Sequence, residues 1–387
     1  DEAIRTVQFI RNKAVRLWMD TRGVGQYEMQ ALCSQLAHEY PFAARLNSMA
    51  RQASADRAWQ AVARFYKNCK EKKPGKKGYP RFQHDNRSVE YKTQAWKLES
   101  DGQHITFTDG MGIGTLRLIG TRSIETFPLA QIKRVRLVKR ADGYYAQFAV
   151  QAERQIDHQP TGKQMGIDVG LKVFYMDSEG QRVANPRYLR KAEKKLKRLQ
   201  RCKDRKQKGG KNRKKAIKRL AKAYLKISRQ RKDFAAKTAS ALIQSSDLVA
   251  YEDLKIANLV KNHRLAKSIS DASWGLFLSW VRYYGGLHSI PVIAVPPHFT
   301  TQDCSGVLPD GTLCRARIRK SLSVRTHVCP ACGLVLDRDQ NAALNILDSA
   351  LRTAGQAGTG FGPPEQNASG QGTSGRRKRL RTVKLAG

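Results

Sequence analysis

Three acidic residues stand where local pattern disfavours a charge. Asp168 lies inside the apolar run Met165-Gly166-Ile167-Asp168-Val169-Gly170, which reads as a buried strand. Glu252 ends a second apolar run, Leu248-Val249-Ala250-Tyr251-Glu252, and Asp339 opens a helical stretch, Asp339-Gln340-Asn341-Ala342-Ala343. An unpaired carboxylate in a buried strand is costly, so a partner such as a metal ion is expected. Three Asp and Glu with no His offer hard oxygen ligands suited to Mg2+. Two Mg2+ ions bridged by such carboxylates can activate a water and stabilise the leaving oxygen of a phosphodiester. Plainer readings stand beside this one. Asp337 or Asp339 could equally well cap the last helix. Asp253, next to Glu252, points to the opposite face of its strand.

The cysteines form a second group. Of seven, Cys33, Cys69 and Cys202 are scattered, while Cys304, Cys314, Cys329 and Cys332 crowd together. An odd count with one cluster reads as a metal site in a reducing compartment, not as a disulfide framework. Cys329-Pro330-Ala331-Cys332-Gly333 has the knuckle spacing of zinc ribbons. Cys304 and Cys314 are nine residues apart in between, and Asp310-Gly311 in that interval predicts a small inserted hairpin. Four thiolates on one Zn2+ make a closed structural site with no catalytic role. His327 is the other candidate for a fourth ligand, although four cysteines already fill a tetrahedron.

Charge names the partner class. The 387 residues carry 72 Lys and Arg against 32 Asp and Glu, a net charge of +40. Such a charge repels itself unless a polyanion neutralises it, and nucleic acid is the usual one. A membrane surface could also attract it, but no run of about twenty apolar residues could span a bilayer, and no signal-peptide pattern is present. The basic residues concentrate in 187–232, where Lys194, Lys195, Lys197, Arg198, Lys214, Lys215, Lys218 and Arg219 interleave with Leu189, Leu196, Leu199, Ile217 and Leu220. The apolar spacing is helical, and Gly209-Gly210 divides the segment into a helical hairpin. Only Glu193 and Asp204 are available for pairing within it, so a phosphate backbone is the expected neighbour. Lys76 and Lys77, in a Gly- and Pro-punctuated linker, are further expected contacts.

The elements that position these residues fall into blocks. Residues 1–72 show helical periodicity, broken at Gly23–Gly25 and Pro41 into about three helices. Residues 73–160 hold short strand-like runs, the last two joined at Asp142-Gly143. Residues 161–302 carry Asp168, the basic hairpin and Glu252, residues 303–334 the cysteines, and 335–354 a last helical segment. Residues 355–387 read as a disordered tail with a basic patch, Arg376-Arg377-Lys378-Arg379. The chain does not begin with Met and opens straight into a helical pattern, which leaves open whether a native start precedes it. Strand, strand and helix start is the way an RNase H-like fold gathers carboxylates from distant sequence.

Several motifs, taken in order, resemble the signature of the TnpB family of transposon-encoded proteins. They are Glu252-Asp253-Leu254, then Leu265-Ala266-Lys267-Ser268-Ile269-Ser270-Asp271-Ala272-Ser273-Trp274-Gly275, the cysteine cluster, and Asp337-Arg338-Asp339-Gln340-Asn341-Ala342-Ala343-Leu344-Asn345-Ile346-Leu347. The match runs from Gly166 to Leu347, about half the chain, and Gly75–Phe82 is a weaker echo. The resemblance implies an RNA-guided DNA endonuclease similar to type V CRISPR effectors. Its first RuvC aspartate would fall on Asp168, its glutamate on Glu252 and its last aspartate on Asp339, with the zinc cysteines on Cys304, Cys314, Cys329 and Cys332. The family's first knuckle is shorter, and its short N-terminal strand is absent before Asp1.

The fold expected is multidomain α+β. It comprises a helical recognition lobe, a β-barrel-like wedge domain and an RNase H-like (RuvC) α/β nuclease core with an inserted zinc ribbon. Expected partners are a guide RNA from the transposon end and a double-stranded target DNA next to a short adjacent motif, in a prokaryotic, nucleoid-associated cytoplasmic protein acting as a monomer with its RNA. Two alternatives keep the same charge and fold: a nuclease-inactive RNA-guided repressor, which would lose one or more acids, and a guide-free RuvC-like structure-specific nuclease.

Overall fold

The computed structural model describes residues 1–120, 124–321, 323–356 and 382–384. The chain divides into two compact units, one formed by residues 1–153 with 375–387 and the other by 154–374. The expected basic tail lies outside the described residues, apart from a helix end at 355–356 and a short strand at 382–384.

The first unit opens with helices α1 (Glu2–Asp20), α2 (Gln26–Glu39), α3 (Pro41–Ala44) and α4 (Ser48–Lys70). Their ends follow local chemistry. Gly23 turns the chain after α1 at a φ of 79°, where a side chain would be strained. The Glu28 carboxylate accepts from the Gly25 N–H at 2.8 Å at the start of α2. Asn47 caps α4 by accepting from the Met49 N–H at 2.8 Å. The strands β1 (Ser88–Lys92), β2 (Trp96–Leu98), β3 (His104–Phe107), β4 (Gly114–Arg117), β5 (Ile132–Lys139) and β6 (Tyr144–Gln151) follow. Helices and strands share one core, in which Ile10, Met29, Leu36 and Val62 join Tyr91, Ile105, Ile132 and Val150. The strands form two sheets, β2-β3-β4 and a second that contains β1-β5-β6. The barrel-like closure expected from sequence is thus, among the described residues, a pair of open sheets. Asp142-Gly143 does turn the β5–β6 hairpin, with the Arg140 N–H donating to the Gly143 carbonyl at 2.7 Å.

The second unit is built on a mixed sheet of β7 (Gln164–Val169), β8 (Val173–Asp177), β9 (Arg182–Ala184), β10 (Leu248–Glu252) and β11 (Val292–Val295). Helices α5 (Tyr188–Asp204) and α6 (Lys211–Gln244) separate β9 from β10. Helices α7 (Ile256–Leu259), α8 (His263–Ala272) and α9 (Trp274–His288) separate β10 from β11. Two short strands, β12 (Thr326–Val328) and β13 (Val335–Asp337), and helix α10 (Arg338–Gln356) complete it. The strand β14 (Thr382–Lys384) returns to the first unit and pairs antiparallel with β6.

The sheet order is β11-β10-β7-β8-β9. Strand β10 runs parallel to both β11 and β7, and β8 is antiparallel to β7. Alternation along the strands assigns two faces. Met165, Ile167, Val249 and Tyr251 pack against Ala239 and Leu242 of α6 and Phe277 and Val281 of α9. Leu248, Ala250 and Val295 pack instead against Ile346 and Ala350 of α10.

Candidate metal centres and nucleic-acid surface

Register brings two of the acids side by side. In the β10–β7 ladder Ala250 lies opposite Gly166 and Tyr251 opposite Ile167. The next step sets Glu252 beside Asp168 on the face that α10 covers. Helix α10 reaches this face closely only because residue 166 is glycine. A Cβ there would lie 2.1 Å from the Ala343 carbonyl oxygen and 2.9 Å from Leu347 Cβ. Asp339 sits one helical turn before Ala343, as Asp168 sits one strand step beyond Gly166 on the same face.

The electrostatics report the same gathering. Burial pushes the Asp168 carboxyl well above the usual carboxylate range, and the charges of Glu252 and Asp339 push it further, with Arg338 opposing. Burial also raises Glu252, against the hydrogen bond it accepts from the Thr300 hydroxyl. Asp253 is exposed, with its N–H donating to the Val295 carbonyl at 2.8 Å.

The helix cap is resolved between the two aspartates. Asp337 Oδ1 accepts from the Asp339 N–H at 2.8 Å, and its other oxygen accepts from Arg182 at 2.8 Å. Asp337 therefore caps α10 and leaves the Asp339 carboxylate to the site. Arg325 and Arg338 approach Asp339 Oδ1 at 3.7 and 3.5 Å.

Supporting residues come from α10 and the loop before the cysteines. Asn345 donates to the carbonyls of Thr300 and Asp303 at 2.8 and 2.7 Å. Asn341, fully buried, donates to the Asp303 carbonyl at 2.8 Å and accepts from the Ser305 N–H and hydroxyl. The two asparagines, one turn apart, fix the loop that holds Thr300 against Glu252. Their spacing was visible in sequence as part of the helix motif, but Thr300 carried no local signal. The neighbouring Phe299 has a φ of 60° and a ring half exposed, with the Arg317 guanidinium 3.6 Å above it. Arg317 is itself held by Asp303 at 2.7 and 3.2 Å.

Cys304, Cys314, Cys329 and Cys332 place their sulfurs within 4.8 Å of one another. Sulfur separations of 3.5 Å (Cys304–Cys332) and 3.6 Å (Cys314–Cys329) are far beyond a disulfide. They approach the roughly 3.8 Å edge of a tetrahedron with Zn–S bonds near 2.3 Å. The Gly306 N–H points at Cys304 Sγ at 3.3 Å, and a Cβ at Gly306 would fall 2.6 Å from Cys332 Sγ. Val307 bridges Leu313, and Gly311 takes a φ of 83° at the turn, so the expected hairpin does lie inside the first knuckle. His327 is fully buried with Nδ1 against Lys320, outside the quartet. Among the described residues, no carboxylate group closes to the spacing that the cysteines reach.

The family model OrfB_IS605, described as "Probable transposase", matches residues 147–263, and the Cas12f1-like TNB domain matches residues 274–346. A protein of Streptomyces pristinaespiralis named "Putative RNA-guided DNA endonuclease" is 35% identical over 204 residues, covering 53% of this chain and 49% of that protein. The chain thus spans about half the length of this relative. A protein of Escherichia coli strain K12 with the same description, InsQ, is 25% identical over 303 residues, covering 74% of this chain and 71% of that protein. A protein of Acanthamoeba polyphaga mimivirus named "TnpB-like protein L79" is 26% identical over 148 residues, covering 37% of this chain and 27% of that protein. The fold of this chain is that of a solved Cas12f1–sgRNA–target DNA complex, with a TM-score of 0.53 at 13% identity, over 89% of this chain and 81% of that one.

The motif around Asp271 has a structural task. Asp271 is buried, accepts from the N–H groups of Leu189 and Arg190 at 2.8 and 3.1 Å, and pairs with Arg231 at 3.1 Å. It caps α5 from another helix, because Arg187, at the N-cap of α5, makes no side-chain cap. The α5–α6 hairpin closes on Leu196, Leu220 and Ile227. Lys194, Lys195, Lys197, Arg198, Lys214, Lys215, Lys218 and Arg219 are all exposed on it. Lys197 pairs with Glu193 at 3.1 Å, and with Lys267 it holds that carboxyl down to about 2. The other seven have no acidic partner among the described residues. Lys76 and Lys77 lie in the first unit.

Proposed function

We propose that this chain is a TnpB-family RNA-guided DNA endonuclease that cuts at the Asp168–Glu252–Asp339 cluster of an RNase H-like (RuvC) core. The observation that carries the reading is that β10 and β7 run parallel in a register that sets Glu252 beside Asp168, with Asp339 near enough at the start of α10 for its charge to raise the Asp168 carboxyl. The Streptomyces and E. coli relatives bear the activity in their names, and the Cas12f1 complex contains guide RNA and target DNA. The bulk of the free positive charge suits two polyanions, a guide RNA and its double-stranded target.

Asp168, Glu252 and Asp339 are the residues that would hold Mg2+, and an all-carboxylate donor set fits that hard cation. When bound, Mg2+ lowers the pKa of water and neutralises charge on the leaving oxygen. The remaining work belongs to side chains. Thr300 fixes one oxygen of Glu252, Asp337 takes over the helix cap, and Arg325 and Arg338 add positive charge beside Asp339. The four cysteines fit one structural Zn2+ in a ribbon. The first unit supplies the recognition and wedge functions, including reading of the target-adjacent motif. No described helix is long and apolar enough to cross a membrane.

The test is to sequence the RNA that co-purifies with the chain and assay cleavage of DNA complementary to its guide segment. A transposon-end transcript and Mg2+-dependent cutting are expected. Asp168→Ala, Glu252→Ala and Asp339→Ala should each lower cutting by at least about a thousandfold with RNA binding kept, a loss of about 4 kcal/mol in barrier terms. Asp253→Ala should cut normally. Full cutting by Glu252→Ala would overturn the assignment.

A further inference from the structure

Four rings of the first unit pack together at its surface, Trp18 edge to face with Phe65 and Tyr66 and tilted to Tyr79. Trp18 lies 6.1 Å from Phe65, 5.9 Å from Tyr66 and 5.4 Å from Tyr79, centroid to centroid, and Phe65 lies 5.3 Å from Tyr79. Burial does not account for the cluster, since Tyr66 and Tyr79 are 50% and 53% exposed. It is nevertheless held in place. The Trp18 indole N–H donates to the Tyr66 hydroxyl at 2.8 Å. Asn68 of α4 donates to the Lys77 carbonyl at 2.9 Å, and Gly78, at a φ of 83°, bends the chain so that Tyr79 returns to the rings.

Beside the rings is a cleft of about 380 Å³ lined by Phe65, Lys76, Lys77, Gly78, Tyr79 and Arg81. No carboxylate lines it. The nearby Glu71 is taken by Lys67 and Lys73 at 3.5 and 3.2 Å. Lys76 and Arg81 have no acidic partner among the described residues. The cleft therefore combines aromatic faces with uncompensated cations. Cationic ligands of aromatic cages are repelled by that charge. A duplex keeps its base faces stacked on one another and would use only the cations. An unpaired nucleotide uses both, a π-face on the rings and phosphates on Lys and Arg.

We propose that this cleft binds an unpaired nucleotide of a single-stranded nucleic-acid segment, its base stacked on the exposed face of Tyr79 and its flanking phosphates on Lys76, Lys77 and Arg81. The proposal deepens the nucleic-acid reading given above. It does not depend on the acidic cluster, so loss of cleavage in Asp168→Ala leaves it untouched.

The experiment uses the full chain in buffer without Mg2+, at raised salt. The probe is oligo(dT) carrying one 2-aminopurine, single-stranded and annealed to its complement. Tyr79→Ala should weaken single-strand binding by about 5- to 100-fold, the range for loss of one base–aromatic stack, and relieve the 2-aminopurine quenching. Duplex affinity should stay within about twofold, as expected of a site that duplex meets only through phosphates. Tyr79→Phe should behave as the parent. Equal loss for both probes, unchanged single-strand affinity, or loss of binding in Tyr79→Phe would each overturn the proposal. Tyr79 is half exposed in a linker, so folding should survive, and retained duplex binding checks it.

Discussion

At the scale of single residues, the cluster around Asp168 sets stability against function. A carboxyl whose folded pKa is raised is more readily protonated in the folded chain than in the unfolded one. The folded state then binds more protons, and its stability falls as pH rises from the unfolded carboxylate pKa, about 4, up to the folded one. Each pKa unit of that window is worth about 1.4 kcal/mol. Above the window the penalty is complete. Asp168→Asn keeps the shape and removes the charge, so in metal-free buffer at neutral pH it should melt several degrees above the parent, and the gap should close below about pH 4. Added Mg2+ should raise the melting temperature of the parent more than that of the variant. Equal melting at pH 7 would mean that Asp168 is not under the strain described. This residue was legible in sequence because a charge inside a strand has a cost that pattern reveals. Thr300 was not, because its meaning arises only when a loop 48 residues beyond Glu252 folds back onto it.

At the scale of elements, the site depends on how closely α10 approaches β7. Strands β7 and β10, the basic hairpin and α10 were all legible from periodicity, and their order suggested which acids would meet. The closeness of contact was not, because a single glycine in an apolar strand has several ordinary explanations. With Ala343 carbonyl 2.1 Å from the place of a Cβ, Gly166→Ala must push the helix outward or shift the strand. Either movement carries Asp339 away from Asp168. A misplacement on the order of 1 Å costs about a hundredfold in rate, so cleavage should fall by at least that factor. Overpacking should also destabilise the chain by about 1–3 kcal/mol. RNA binding, which draws on other surfaces, should persist. Gly170→Ala is the weaker neighbour, 2.9 Å from a carbonyl in its own hairpin rather than from α10, so Asp339 should stay in place. Parent-like cleavage by Gly166→Ala would show that α10 does not set the spacing of the acids.

At the scale of the whole molecule, the charge of +40 says that a polyanion is needed but not which cations meet it. Ion pairs sort them. Among Lys194, Lys195, Lys197 and Arg198 of α5, Lys197 is committed to Glu193, while the other three have no acid partner among the described residues. The Glu193–Lys197 pair stands at the i, i+4 spacing that sequence can show, but the share that Lys267 of α8 takes in Glu193 could not be read, being distant in the chain. If the three free cations contact phosphates, each releases condensed counterions on binding. The slope of log affinity against log salt then changes by roughly 0.7 to 0.9 per contact. Replacing Lys194, Lys195 and Arg198 together by Gln, which keeps helix propensity, should lower the slope by about two to three units for RNA or DNA. Lys197→Gln alone should leave it within about half a unit, the scale of a partial contact. The measurement is affinity across a salt series for parent and both variants. An unchanged slope in the triple variant would mean that this face of the hairpin is solvated rather than engaged. A full-unit drop in Lys197→Gln would mean that nucleic acid displaces Glu193 from its lysine, and that the ion pairs of the free chain do not mark which cations bind.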